Sequence, residues 1–506
     1  VQQANAARDA RLELQVALAL DGAQMLVDAL AITQPQCARQ IGARGRQAMT
    51  QHELADEPQD LLLARAQGGQ GVEYHTFVWY RFASGKSAAI SSQIKMFTKQ
   101  SVNQFRRLIA LSLVASLALS FSAQAQKSYD PGASDTELKI GNIMTYSGWA
   151  QAYGAIGRAE AAYFRMINDH GGVNGRKITF ISVDNGSEAA NSLELARGLV
   201  QHDGVLLIFG SLGTETNLAI RPYLNEQHVP QLFVDSSSTV FNDPAHFPWT
   251  MGFFASFRTE GLAYASYILQ SKPNARIAIL YADDDAGREY LAGVLDGLGP
   301  RSSSMVVSRM SYRAADGSVD PQLTALKASG ADVFLNFAIG PFATQAIRKA
   351  YDLDWHPLQF IANASLSTAA FLEPAGLAKA VGIITNARSK GWLEPQARSD
   401  PAVREFVDWM QQYNRDASLR DQNNVAGYER AEALVEVLRR CGDNLTRANV
   451  MQQAAHLDME LGMLRPGIRL NTSPGDYQPV HQLFLMKFDG RGWVPIGAVI
   501  DPGAAN

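Results

Sequence analysis

The chain has 506 residues, 45 Lys+Arg against 49 Asp+Glu, a formal net charge of -4, 46% hydrophobic residues and two cysteines. That balance excludes a disordered, collagen-like or disulfide-stapled chain. The absence of a basic excess removes the electrostatic support for sequence-independent nucleic-acid binding, so nucleic acid is not an expected partner.

In chain order, residues 1–95 contain Ala-rich stretches and Gly68-Gly69-Gln70-Gly71 but no motif. They are expected to be an upstream extension of the reading frame and are assigned no function. Residues 96–125 read as a secretory signal: Lys99, Arg106 and Arg107 precede an apolar run at 108–118, and Ala123-x-Ala125 supplies a small-x-small cleavage site. The run is shorter than the ~20 apolar residues a membrane span needs. Met96 is the expected start and Ala125 the last residue removed. The remainder, 126–506, carries 33 basic against 40 acidic residues and one cysteine, Cys441, so an internal disulfide is impossible.

From 138 onward apolar runs alternate with helical-period segments. Strands are expected at 138–144, 177–183, 205–209 and 231–234, with helices at 154–169, 193–202 and 217–227 between them. Parallel neighbours need a covering crossover helix, so the rhythm predicts a doubly wound α/β layer structure. Pro248-Trp249 and Phe253-Phe254 interrupt it. A second series follows, with strands at 276–281, 305–311, 333–338, 359–362 and 381–385 and helices at 261–270, 288–298, 321–329 and 342–351. Helices at 402–414 and 427–440 come next, then strands at 481–488 and 493–499 joined by Asp489-Gly490-Arg491-Gly492, a hairpin turn. The expected architecture is two Rossmann-like lobes, 126–251 with about 386–466 and 252–385 with about 467–506, joined by a multiply crossed hinge.

Ligands of open α/β sheets bind beyond the carboxyl ends of strands. Phe209-Gly210-Ser211-Leu212-Gly213-Thr214 lies where a strand gives way to a helix, so backbone N–H groups and hydroxyls can meet an anion there. An ordinary helix cap by Thr214 or Thr216 explains the same residues equally well. Asp235-Ser236-Ser237-Ser238-Thr239 follows the next strand in the same way. Asp283-Asp284-Asp285 reads as a cap for the helix from 288 rather than a metal site, because the alternating calcium-loop spacing is missing. The nine histidines form no zinc motif, and neither a Gly-x-Ser-x-Gly elbow nor a phosphate-binding loop occurs. No enzyme activity, metal or cofactor is expected.

Several stretches resemble the solute-binding proteins of ABC importers of the branched-chain amino acid type, which have the type I periplasmic binding fold. They are Ile140-Gly141 with Tyr146-Ser147-Gly148, then Ile167-Asn168-x-x-Gly171-Gly172-Val173-Asn174-Gly175-Arg176-Lys177, then Phe209 to Thr214. Val229-Pro230-Gln231-Leu232-Phe233, Phe247-Pro248-Trp249-Thr250-Met251-Gly252 and Pro466-Gly467-Ile468-x-x-Asn471-Thr472 continue it. The resemblance implies a periplasmic monomer of two lobes joined by three strands, a solute trapped between them, and delivery to an ABC permease with its ATPase. It also implies carboxylate contacts from Leu212, Gly213 and Thr214 and from Asp235, Ser236 and Ser237, with Tyr153 packing on the solute. On the second lobe it implies contacts from Phe337, Ile339 and Gly340 and from Asn363, Ala364 and Ser365. Amino-acid binders carry an acidic residue near Ala364 for the α-ammonium, and no carboxylate lies within 361–370. The expected solute is therefore an aromatic or aliphatic acid without an α-amino group. A branched-chain or related amino acid is the alternative solute, and sensor input for signalling the alternative role.

Overall fold

The computed structural model describes residues 127–501 apart from 395 and 396. The expected extension at 1–95 and the expected signal at 96–125 lie outside the described residues. None of the helices among the described residues is long and apolar enough to cross a membrane.

The first lobe opens with β1 (Glu137–Met144), α1 (Gly154–Asp169), β2 (Lys177–Asp184), α2 (Ser192–Gln201), β3 (Leu207–Phe209), α3 (Thr214–Glu226) and β4 (Gln231–Leu232). The strands are all parallel, in the order β2-β1-β3-β4. Their side chains alternate between two faces. Leu138, Ile140 and Phe209 point into the cluster that holds Tyr163 and Phe164 of α1, whereas Ile143 and Ile208 meet Leu199 of α2 and Ile220 of α3.

The second lobe runs through α4 (Phe257–Ser271), β5 (Ile277–Ala282), α5 (Asp285–Leu298), β6 (Val306–Tyr312), α6 (Asp320–Ala328), β7 (Val333–Phe337), α7 (Pro341–Asp352), β8 (Leu358–Ile361) and β9 (Ile384–Ala387). The chain then adds α8 (Pro401–Tyr413), α9 (Asn423–Cys441) and α10 (Arg447–Ala454) to the first lobe and closes on β10 (Leu483–Phe488) and β11 (Trp493–Ile500) in the second. The larger sheet has the order β11-β10-β9-β8-β7-β5-β6, parallel except for the antiparallel β10–β11 hairpin at the β9 edge. Ile279, Leu335 and Phe337 pack under α4 and α5 on one face; Leu280 and Phe334 pack against α6 and α7 on the other.

Helix α9 lies close enough to α1 that a Cβ on Gly427 would come within 2.5 Å of the Ile156 carbonyl oxygen, so only glycine fits at that crossing. Phe406, Trp409, Tyr428 and Leu434 share one core with Phe164, Phe209 and Phe233. Ile468, Leu470, Tyr477 and Val480 also belong to it, so the last crossing falls after 480 and not near 466 as the strand pattern suggested. The short antiparallel pairing of Asp458–Met459 with Leu470–Asn471 folds that segment back onto the first lobe before the hairpin begins. The chain thus passes between lobes near 252, 388 and 481.

Candidate functional site

The carboxyl ends of β1, β3 and β4 lie at one edge of the first sheet, so the loops that follow them emerge together. Two of these loops are bonded to each other: the Gly213 N–H donates to the Asp235 carbonyl at 3.0 Å, and the Asp235 N–H donates to that of Ser211 at 2.9 Å. This pairing sets Leu212 beside Asp235. Helix α3 begins at Thr214, three residues before the expected start, because its cap is Gly213 at φ 97°, a conformation that glycine adopts without strain. No side chain caps the helix. The Thr214 hydroxyl shares a 2.8 Å bond with that of Ser236, and the Thr216 hydroxyl accepts from the Asn185 amide at 3.0 Å. The capping explanation for these threonines therefore fails, and the first-turn amides of α3 have no internal acceptor.

These loops form one wall of a cleft of about 290 Å3 between the lobes. Tyr153, Leu212, Gly213, Thr214, Asp235, Ser236 and Ser237 line it from the first lobe, and Ile339, Asn363 and Ala364 from the second. The structure does not bring Phe337, Gly340 and Ser365 to the wall. Phe337 is buried in the second core, its ring stacked on Tyr290 at 4.5 Å. The Ser365 hydroxyl is turned inward to the Ala338 carbonyl. Gly340 acts through its backbone, its N–H donating to the Tyr153 hydroxyl at 3.0 Å across the lobe boundary.

That bond belongs to a set that joins the two lobes. Ser238 donates to Glu289 at 2.5 Å, the Ala369 N–H to the Arg420 carbonyl at 3.0 Å, and Arg420 pairs with Glu373 at 2.5 Å. Trp149 and Phe342 also meet across the lobes, their rings tilted by 55° with centroids 6.3 Å apart. The lobes are therefore in a closed arrangement.

Sequence reasoning missed the charges behind the wall. Arg430 of α9 is fully buried and bonds Glu160 of α1 through Nε at 2.9 Å and Asp235 through Nη2 at 3.0 Å. Gly210 makes room: a Cβ there would sit 2.7 Å from a Glu160 oxygen. Burial pushes the Glu160 carboxyl up to about 8 against the pull of Arg430. Arg388, just past β9, lines the cleft, stacks on Phe254 with its guanidinium carbon 3.9 Å from the ring centre, and pairs with buried Glu429 at 3.3 Å. The signal available was a Glu429-Arg430 pair inside the apolar face of a helix, where charges persist only with partners.

Asp284 caps α5 as expected, accepting the Gly287 N–H at 2.8 Å, but it also lines the cleft. Its neighbours Asp283 and Asp285 pair with Arg288 at 3.4 and 2.7 Å. Glu260, beside Asn363, is buried, and burial pushes it up to about 7; its oxygens accept from the Asn363 N–H at 2.7 Å and the Tyr264 hydroxyl at 2.8 Å. No group of His, Cys, Asp and Glu among the described residues could hold a metal ion.

Two α/β lobes, a triply crossed hinge and a cleft at the strand ends define a known architecture, and residues 137–492 match the sequence model of a family described as periplasmic binding protein. The chain belongs to that family. Solved periplasmic binding proteins and their relatives share its fold. A branched-chain amino acid ABC transporter protein from Thermus thermophilus, solved with bound valine, superposes at a TM-score of 0.65 with 16% identity, covering 72% of this chain and 97% of its own. A solute-binding protein from R. palustris in complex with 4-hydroxybenzoate gives 0.62 and 18%, covering 73% and 100%. A fatty acid ABC transporter substrate-binding protein from Thermomonospora curvata gives 0.65 and 18%, covering 75% and 96%. No curated protein sequence matches the chain significantly. At such identities these relatives establish the type I fold and not the solute.

Proposed function

We propose that this periplasmic binding protein captures a small carboxylic acid without an α-amino group, aromatic or aliphatic, and presents it in the closed state to an ABC permease. The observation that carries this reading is the wall at 212–214 and 235–237. There, uncapped first-turn amides of α3 and the Thr214–Ser236 hydroxyl pair face the cleft, the donor set a carboxylate requires. Opposite them, Asn363 and Ala364 supply no charge for an ammonium, and a buried ammonium without a counter-charge costs several kcal/mol. Size supports the same reading, since about 290 Å3 is roughly twice the ~150 Å3 cavity that takes a benzene ring. Trp149, Phe254, Tyr290, Trp392 and Trp493 make much of the wall aromatic.

Capture needs no covalent step. A solute touched by both lobes binds the closed state better than the open one and shifts the population toward it. The tethers at Tyr153–Gly340 and Ser238–Glu289 are the contacts that closure forms.

One observation favours an amino acid instead: Asp284 lines the cleft from the second lobe and can face an ammonium. A thermal-shift screen of the purified protein separates the readings, because a ligand that binds only the folded state raises the melting temperature by mass action. Stabilisation by benzoates, phenylalkanoates or C5–C9 fatty acids, with no response to leucine, isoleucine or valine, is the expected outcome. Stabilisation by the amino acids, abolished in Asp284→Asn, overturns it.

A further inference from the structure

Arg388 is a part of the cleft that the carboxylate-binding loops do not use. It projects from the hinge crossing after β9, its side chain 11% exposed, with one face covered by Phe254 at 3.9 Å. Its Nε approaches Glu429 at 3.3 Å, an ion pair that falls short of hydrogen-bond geometry. Among the described residues, none accepts a hydrogen bond from its two terminal nitrogens. The other cations of the wall differ. Arg465 is paired with Glu394, and Lys390 with Asp400 at 2.9 Å. Arg430, behind the wall, is bonded to both Glu160 and Asp235.

A guanidinium carries five donors in a planar fork and stays charged throughout the accessible pH range. Leaving that fork unfilled in a largely desolvated wall is costly, and an acidic group arriving with the solute relieves the cost. The same cleft is also lined by Trp392, Leu393, Val425, Met486 and Trp493, which belong to the hinge segment, α9 and the β10–β11 hairpin. One cavity therefore brings together the carboxylate wall on the first lobe, these largely apolar residues and Arg388.

We propose that Arg388 anchors a second acidic group of the solute, so that the preferred ligand is a diacid, with one anionic group at 212–214 and 235–237 and the other at Arg388. This rests on the carboxylic-acid reading above and narrows it. Aromatic dicarboxylates and α,ω-aliphatic dicarboxylates are the chemical class that fits, the ring or methylene chain lying along the apolar walls.

The test is calorimetric titration of the purified protein with matched pairs: benzoate against 1,3- and 1,4-benzenedicarboxylate, and hexanoate to nonanoate against the α,ω-diacids of equal length. At least one diacid should bind tighter than its monoacid by about tenfold or more, the range of a charge-assisted bond. In Arg388→Gln the diacid-to-monoacid affinity ratio should fall to near one. Because that variant strips Glu429 of its counter-ion, the double variant Arg388→Gln/Glu429→Gln serves as a charge-balanced second test, with the same fall expected. Monoacids that bind as tightly as every diacid overturn this proposal and leave the carboxylic-acid reading standing, as does a diacid preference that survives both variants. Amino acids that bind while neither acid series does overturn both.

Discussion

Replacing Arg430 by methionine should unfold this protein far more readily than its distance from solvent chemistry suggests. The side chain is wholly buried, bonded at 2.9 Å to Glu160 and at 3.0 Å to Asp235, with the Phe254 ring centre 5.5 Å away. Methionine fills much of the volume, so the cost is electrostatic. Glu160, pushed up to about 8 by burial and so the readier of the two to take a proton, loses its donor from Arg430. Asp235, 9% exposed, is left as a carboxylate without its cation. Removing one partner of a buried pair costs about 3–5 kcal/mol. At about 2–4 °C per kcal/mol for domains of this size, the melting temperature should fall on the order of 10 °C. Thermal and urea melts at pH 7 of Arg430→Met, Asp235→Asn and the double variant measure it. The double variant should recover most of the loss, since no unpaired charge remains. A loss below about 1 kcal/mol for Arg430→Met alone would show that water reaches Asp235 and that the network does not set the wall.

Buried carboxyls also make stability depend on pH. Glu160 is raised in the folded state from 4.5 to about 8, and Glu260 and Glu432 to about 7, each chiefly by burial. A carboxyl with a raised folded value binds its proton more tightly when folded, so its contribution is complete below about 4.5 and is lost as pH rises through 7 to 8. Melting temperature should therefore fall from pH 5.5 to 8.5, and Glu160→Gln should flatten that slope; an unchanged slope places the titration elsewhere. Thr214→Ala removes the hydroxyl bonded to Ser236 and should weaken acid binding by about tenfold without moving the melting temperature of the unliganded protein by more than ~2 °C. Unaltered affinity removes Thr214 from the carboxylate wall.

Much of the fold was legible because its elements are regular. The apolar runs that form β1 and β2 and the 3.6-residue period of α1 match the observed bounds within a residue or so. Long-range returns were less readable. The 457–480 segment packs on the first lobe through Leu470, Tyr477 and Val480, and nothing local in an irregular stretch reports which lobe covers it. Among site residues, the loops after β3 and β4 were readable because Gly213 and the serine cluster carry turn chemistry at strand ends. Arg388 and Arg430 were not, because a charge in an apolar run reveals its partners only once α1, α9 and the hinge segment meet. Phe337 and Ser365 show the opposite failure: they lie at or just past the right strand ends, but alternation turns Phe337 under α5, and the 3-10 turn at Asn363–Ser365 aims the Ser365 hydroxyl at the Ala338 carbonyl.

The central claim is that the solute is an acid lacking an α-ammonium, and the most direct measurement titrates the protein with pairs that differ only in that group. 4-Methylpentanoate against leucine and 3-phenylpropanoate against phenylalanine, followed by calorimetry at pH 7, isolate it. At least one acid of these pairs should bind, and bind tighter than its amino-acid partner by about tenfold or more, because the ammonium must be desolvated opposite Asn363 and Ala364. Leucine or phenylalanine binding tighter than its des-amino partner would contradict the account and make Asp284 the ammonium's counter-charge.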